Sequence, residues 1–220
     1  MSDTIFKIKE AFYTLQGEGA RAGRASVFIR FSKCNLWNGK ESGRAAAVCQ
    51  FCDTDIVGTD GLNGGQYSQT ELLKLAKQLW GDLSRGKPYV VFTGGEPALQ
   101  LTETLIGDFQ QAGFECAVES NGTLPLPKNL DWVCISPKGT SEVIQSTCNE
   151  LKMVFPQADL SPDQVQHIQA DYYFLSPMAD YGIENSGMII RENMQSATQY
   201  CLDHPQWRMS LQTHKLLGID

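Results

Sequence analysis

The chain has 220 residues, 42% of them hydrophobic, enough for one domain with a substantial core or at most two small ones. Its 18 Lys and Arg against 25 Asp and Glu give a net charge of −7, and no basic run breaks the acidic balance, which argues against a nucleic-acid partner. No stretch approaches the ~18 apolar residues of a membrane span, the N-terminus MSDTIFKIKEAF lacks a signal-peptide core, and the 7 cysteines are an odd number, so a reducing, cytoplasmic location is expected.

Taken in order, runs rich in β-branched and aromatic residues predict strands at Ile5–Glu10, Ser26–Phe31, Tyr89–Thr93, Glu115–Glu119, Trp132–Ser136, Leu151–Phe155, Tyr172–Leu175 and Arg208–Gln212. The glycine-rich stretch Gly58–Gly65 reads as a surface loop. Ser68-Gln-Thr-Glu71 is a capping box opening a helix whose Leu72, Leu75, Ala76 and Leu79 share one face. A second helix is expected from Pro97 to about Ala112, with Leu101, Leu105 and Phe109 on one face and Gly113 as its stop. Ser161-Pro162 opens a short third helix, and a longer one runs from Glu192, or from as early as Asn185, to about Asp203.

Strand–helix alternation with apolar strands predicts a parallel sheet covered by helices. About six β/α units are too few for a standard eight-stranded barrel, so the expected fold is an α/β open, partial TIM-type barrel formed by one domain over residues 1–220. Working residues in such folds gather at the C-terminal ends of strands. Thr93-Gly-Gly-Glu-Pro97, Glu119-Ser-Asn-Gly-Thr123, Ser136-Pro-Lys138 and Ser176-Pro-Met178 all fall there. Any one of them alone is an ordinary βα turn; four on one rim exceed what turns require.

Between the second and third predicted strands lie Cys34, Cys49 and Cys52, spaced C-x14-C-x2-C. Thiolates are soft ligands suited to iron–sulfur clusters and zinc. A closed zinc site needs a fourth ligand, and His167, His204 and His214 show no ligand spacing to the cysteines. Three thiolates on a four-iron cluster leave one iron open for chemistry. A structural metal module, or a thiol-redox pair made by Cys49 and Cys52, are the plainer alternatives. Cys116, Cys134, Cys148 and Cys201 sit in apolar or amphipathic segments and read as small core residues.

The three cysteines, Phe51 just before Cys52, and the Gly94–Pro97 turn after an apolar strand resemble the radical S-adenosylmethionine (SAM) superfamily. The usual spacing there is C-x3-C-x2-C, and the longer C-x14-C-x2-C loop resembles one branch of the 7-carboxy-7-deazaguanine synthase family. Thr14-Leu-Gln-Gly-Glu-Gly19, Phe28-Ile-Arg30, Cys49-x-x-Cys52-Asp-Thr54, the three rim motifs up to Ser136-Pro-Lys138, and Gln212-Thr-His-Lys215 carry that resemblance along nearly the whole chain. It implies a [4Fe–4S] cluster on Cys34, Cys49 and Cys52, SAM on the open iron, and conversion of 6-carboxy-5,6,7,8-tetrahydropterin to 7-carboxy-7-deazaguanine and ammonia. SAM contacts are implied for Phe51, Gly95, Ser120, Asn121, Ser136, Pro137, Lys138, Ser176 and Met178. The pterin falls to Leu15, Gln16, Gly17, Glu18, Arg30, Thr93 and a C-terminal tail running from His214 to Asp220, and Mg2+ to Thr54. A homodimer and a flavodoxin- or ferredoxin-type reductant are implied as well. Within the same superfamily an activase acting on a partner protein is the rival, but Arg30 and the TLQGEG stretch favour a small-molecule pocket: a guanidinium grips a carboxylate, and Glu18 accepts from ring N–H groups.

Overall fold

A computed structural model of the chain describes residues 4–179 and 190–219. Among the described residues nine strands form one sheet: β1 (Ile5–Leu15), β2 (Ala25–Phe31), β3 (Gly65–Ser68), β4 (Tyr89–Gly94), β5 (Glu115–Ser120), β6 (Trp132–Ile135), β7 (Thr147–Phe155), β8 (Gln169–Pro177) and β9 (Trp207–Met209). Their order is β3-β1-β2-β4-β5-β6-β7-β8-β9, so β3 and β9 are edges and the sheet stays open. From β2 through β9 every neighbouring pair is parallel, whereas β1 runs antiparallel to both β2 and β3. The partial-barrel expectation holds.

Side-chain alternation divides the sheet into two faces. Val27, Ile29, Val90, Phe92, Cys116 and Val118 point outward into a core covered by α1 (Gln69–Trp80) and α2 (Glu103–Gln111). Leu151, Met153 and Leu175 belong to a second core near α3 (Arg191–Asp203). The opposite parity, including Phe28, Arg30, Thr93, Glu119, Lys152, Val154 and Ser176, lines an interior cavity. Arg30, Thr93, Glu119, Lys152 and Ser176 are thereby gathered on the inner face.

The capping box forms as predicted: Ser68 Oγ accepts from the Glu71 N–H at 3.4 Å, and Glu71 Oε2 accepts from the Ser68 N–H at 2.8 Å. The helix expected over Pro97–Ala112 is instead two pieces. A 3₁₀ turn at Pro97–Leu99 is capped by Glu96, and Thr102 then caps α2 by accepting from the Leu105 N–H at 3.2 Å. The two side-chain caps satisfy N–H groups that a continuous helix would have used. Ser161-Pro162 opens only a 3₁₀ turn, Pro162–Val165. The Gly58–Gly65 stretch ends in β3, which is too short to show alternation, and the last strand is Trp207–Met209 rather than Arg208–Gln212. The crossovers from β5 to β6 and from β6 to β7 contain no α-helix. The earlier start of α3 near Asn185 lies outside the described residues.

Candidate active site

The inner face of the sheet encloses a cavity of about 440 Å³, within the range of small-molecule sites. The predicted site residues line it, with two exceptions. Pro137 lies behind the wall, its carbonyl accepting from Gln157 Nε2 at 3.2 Å, and Asp220 lies outside the described residues. Not all the lining comes from one rim. Leu15 pairs with Ala25, the first residue of β2, so the Gln16-Gly-Glu18 segment enters from the end where the parallel strands begin. This follows from the antiparallel course of β1.

At the C-terminal rim, the excursion between Cys34 and Cys49 is folded. It holds a 3₁₀ helix at Glu41–Ala46, buries Trp37, and closes where the Val48 and Cys49 N–H groups donate to the Leu36 carbonyl at 3.2 and 3.4 Å. Arg44 from that helix donates to the carbonyls of Gln50 and Cys52, each at 2.9 Å. The Cys49 thiol shares its proton with Cys52, which pulls Cys52 down to about 6 and pushes Cys49 up, while burial raises Cys34. Lys138 favours the thiolate at both Cys49 and Cys52. The Leu36 N–H lies 3.4 Å from Cys34 Sγ. Among the described residues no three His, Cys, Asp or Glu side chains close around a point as a single ion requires.

The GGEP turn packs directly on this loop. A Cβ on Gly95 would overlap the Lys33 carbonyl and lie 2.9 Å from the Cys34 nitrogen, so only glycine lets the two turns approach. Glu96 is fully buried and accepts from Ser120 Oγ, the Asn121 N–H and the Ala98 N–H at 2.8 to 2.9 Å; burial nevertheless raises its carboxyl above the ordinary range. It orders the strand ends that carry Ser120 and Asn121. Ser176 Oγ, on the cavity wall, is buried with no hydrogen-bond partner among the described residues. An orphaned hydroxyl of this kind fits a polar ligand.

The other half of the cavity is charged. Arg30 Nε donates to Glu10 at 2.7 Å, and its two terminal amino groups have no hydrogen-bond partner among the described residues. Lys152 Nζ lies 2.6 Å from Glu18 Oε2 and 3.1 Å from Glu119 Oε2. Gln16 Nε2 donates to Glu119 Oε1 at 2.9 Å, and Gln16 Oε1 accepts from the Glu18 N–H at 3.2 Å. Burial opposes ionisation of Glu18, but the Lys152 charge with hydrogen bonds from Lys152 and Gln212 outweighs it and holds the carboxyl at about 2. The C-terminal helix α4 (Thr213–Leu217) closes this end: Thr213 donates twice to the Gly17 carbonyl, at 3.0 and 2.8 Å, and Lys215 reaches Asp53 at 2.8 Å. His214 sits where a Gly17 Cβ would be, and burial lowers its pKa.

Sequence reasoning missed Glu10 and Lys152, and gave Glu119, the first residue of a rim motif, no role of its own. The signal for Lys152 was present: Glu150, Lys152 and Val154 share one parity in a strand whose other parity, Leu151 and Met153, is apolar.

An open parallel half-barrel with three thiols and a glycine turn at its mouth and a charged cavity inside defines the partial-barrel fold of radical SAM enzymes. No family model matches the chain. It is 52% identical over 215 residues to a 7-carboxy-7-deazaguanine synthase of Bordetella pertussis, covering 97% of this chain and 99% of that one. Against the synthase of Bradyrhizobium diazoefficiens it is 50% identical, with the same coverage. A crystal structure of QueE from Escherichia coli superposes with a TM-score of 0.67 at 23% identity, covering 94% of this chain and 93% of that one. The chain belongs to the 7-carboxy-7-deazaguanine synthase family.

Proposed function

We propose that this protein converts 6-carboxy-5,6,7,8-tetrahydropterin to 7-carboxy-7-deazaguanine with release of ammonia, a carbon–nitrogen lyase reaction of queuosine and related 7-deazapurine biosynthesis. The observation that carries the reading is one cavity that joins the three thiols to Gln16, Glu18, Arg30, Thr93 and His214, in a chain of this family. Its volume suits a small molecule rather than a docked protein partner, which weighs against the activase alternative.

Cys34, Cys49 and Cys52 would hold the [4Fe–4S] cluster, with SAM against Phe51, Gly95, Ser120, Asn121, Ser136, Lys138, Ser176 and Met178. When bound, these groups supply reductive cleavage of a sulfonium and hydrogen-atom abstraction from an unactivated C–H. The chain's own residues bind, orient and exclude water. Arg30 is suited to the pterin carboxylate because its terminal amino groups are uncommitted to other described residues. Glu18, an anion, accepts from the pyrimidine-edge N–H groups, and Leu15 and Gly17 present backbone groups beside it. His214, on the C-terminal segment held to the Gly17 carbonyl through Thr213, would close the site. Thr54 is the Mg2+ ligand in this reading, and the neighbouring aspartates support the choice: Asp53 is paired with Lys215 at 2.8 Å and Asp55 with Lys9 at 2.6 Å. The proposal further comprises a single domain over residues 1–220, a homodimer, a flavodoxin- or ferredoxin-type reductant and a cytoplasmic location. No described helix is long and apolar enough to cross a membrane.

Anaerobically reconstituted protein should hold about four iron atoms per chain, lose them in Cys49→Ala, and form the deazaguanine chromophore from carboxytetrahydropterin with SAM, Mg2+ and reductant. An intact cluster without product rejects the substrate assignment; stoichiometric zinc with no iron after the same treatment rejects the radical chemistry.

A further inference from the structure

Lys152 stands within β7 with its side chain 6% exposed, and its ammonium bridges Glu18, which follows β1, and Glu119 on β5. Burying an ammonium is costly unless it is paired and hydrogen-bonded. The pairing here joins separate walls of the cavity. Both carboxylates line the cavity, and each takes two bonds. Glu119 spends Oε1 on Gln16 and Oε2 on Lys152. Glu18 takes one bond from Lys152 and one from Gln212, and an ionised carboxylate has about four lone-pair sites, so acceptor capacity remains toward the cavity that it lines.

Resting on the substrate reading above, we infer that Lys152 is a positioning residue that keeps Glu18 a pure acceptor, so that the cavity selects a heterocycle edge made of N–H donors and rejects one that places a carbonyl there. A protonated Glu18 would present an O–H donor as well as an acceptor, and an amino-pyrimidinone edge and its 2-oxo counterpart would then be hard to tell apart. Discrimination of this type is strong because a buried polar group left facing its own kind is unpaired.

The groups around the pair are few. Lys152 faces Glu119, Glu18, Cys134 and Glu150, and Glu18 faces Lys152, Gln212 and His214. Of these groups only His214 could become a cation in place of the ammonium, and burial lowers its pKa; Cys134 and Glu150 can add only negative charge. Without its lysine, Glu18 keeps the burial that opposes ionisation and loses its main counter-charge.

The test is calorimetric binding to the anaerobic, cluster-loaded, SAM-bound enzyme of two redox-inert probes, pterin 6-carboxylate and lumazine 6-carboxylate, which differ in an amino against an oxo group at ring position 2. Wild type should prefer the pterin equally from about pH 5 to 8. In Lys152→Met the pterin should bind on the order of 10- to 100-fold more weakly at the acid end, recover as pH rises, and lose its advantage over the lumazine. Lys152→Arg should restore the preference. The double variant Lys152→Met/Glu18→Gln, which leaves no carboxylate at position 18 to titrate, should be folded, pH-independent and poorly selective. Wild-type preference in the methionine or double variant, or weakening without pH dependence, overturns the inference while leaving the substrate assignment. If wild type binds neither probe, the substrate assignment itself fails.

Discussion

Arg44→Met asks whether the long excursion between Cys34 and Cys49 supports the thiols or merely connects them. Arg44 joins the excursion to the C-x-x-C turn through the Gln50 and Cys52 carbonyls, pairs with Glu41, and stacks over Trp37 with 4.3 Å to the ring centre. Methionine keeps the apolar stem and removes every one of those donors. The Gln50 carbonyl lies in an exposed stretch and recovers water, costing roughly 0.5–1.5 kcal/mol, whereas the part-buried Cys52 carbonyl costs roughly 1–3. Loss of the Trp37 contact adds about 0.5–2 kcal/mol. The Glu41 pair contributes little, since that carboxylate is more than half exposed. Together these amount to roughly 2–6.5 kcal/mol against local opening, at least about thirtyfold in open population. The excursion lies outside the apolar clusters of the sheet, so this acts on the loop and not on global unfolding. Cluster-loaded Arg44→Met should therefore release iron to a chelator at least ~30-fold faster, with the melting temperature of the metal-free protein nearly unchanged. Equal iron-release rates would refute the support role; a large drop in melting temperature would show that Arg44 belongs to the global fold instead.

Two further outcomes follow from the charge arrangement. Arg30→Ala should abolish pterin 6-carboxylate binding while substrate-free SAM cleavage persists; equal loss of both would make Arg30 a structural partner of Glu10. Glu115 is held at about 2 instead of the ordinary 4.5, chiefly by its hydrogen bonds to Arg24, despite opposing burial. A depressed carboxylate contributes stability above its unfolded pKa and loses it as pH falls toward the folded one, so this contribution should vanish between about pH 4.5 and 2. Glu115→Gln should flatten that limb of an acid-denaturation curve by at most about 3 kcal/mol, and an unaltered limb would show that the Arg24 pair is not what depresses it.

What is legible in a sequence is what repeats or punctuates locally. Strand parity, the Ser68–Glu71 box and the rim motifs depend on neighbours a few residues apart, and they place the parallel sheet and most of the cavity wall. The Cys34–Cys49–Cys52 spacing likewise announces thiol chemistry without any tertiary information. Thr102 shows the limit of such signals: its hydroxyl caps α2 and splits a helix whose apolar periodicity reads as continuous.

Only the folded chain decided how distant segments meet. The antiparallel course of β1 carries Gln16 and Glu18 in from the far end of the strands, which no local pattern encodes. Lys152 reads as an anomaly in an apolar strand until Glu18 and Glu119, 134 and 33 residues away, close on either side of it. Local preferences are set by sterics and hydrogen bonds within a turn or two, so the sequence determined most of the elements and the spacing of the three thiols. The pairing of charges in a low-dielectric interior depends on chain crossings, so the electrostatics of the site came from tertiary structure alone.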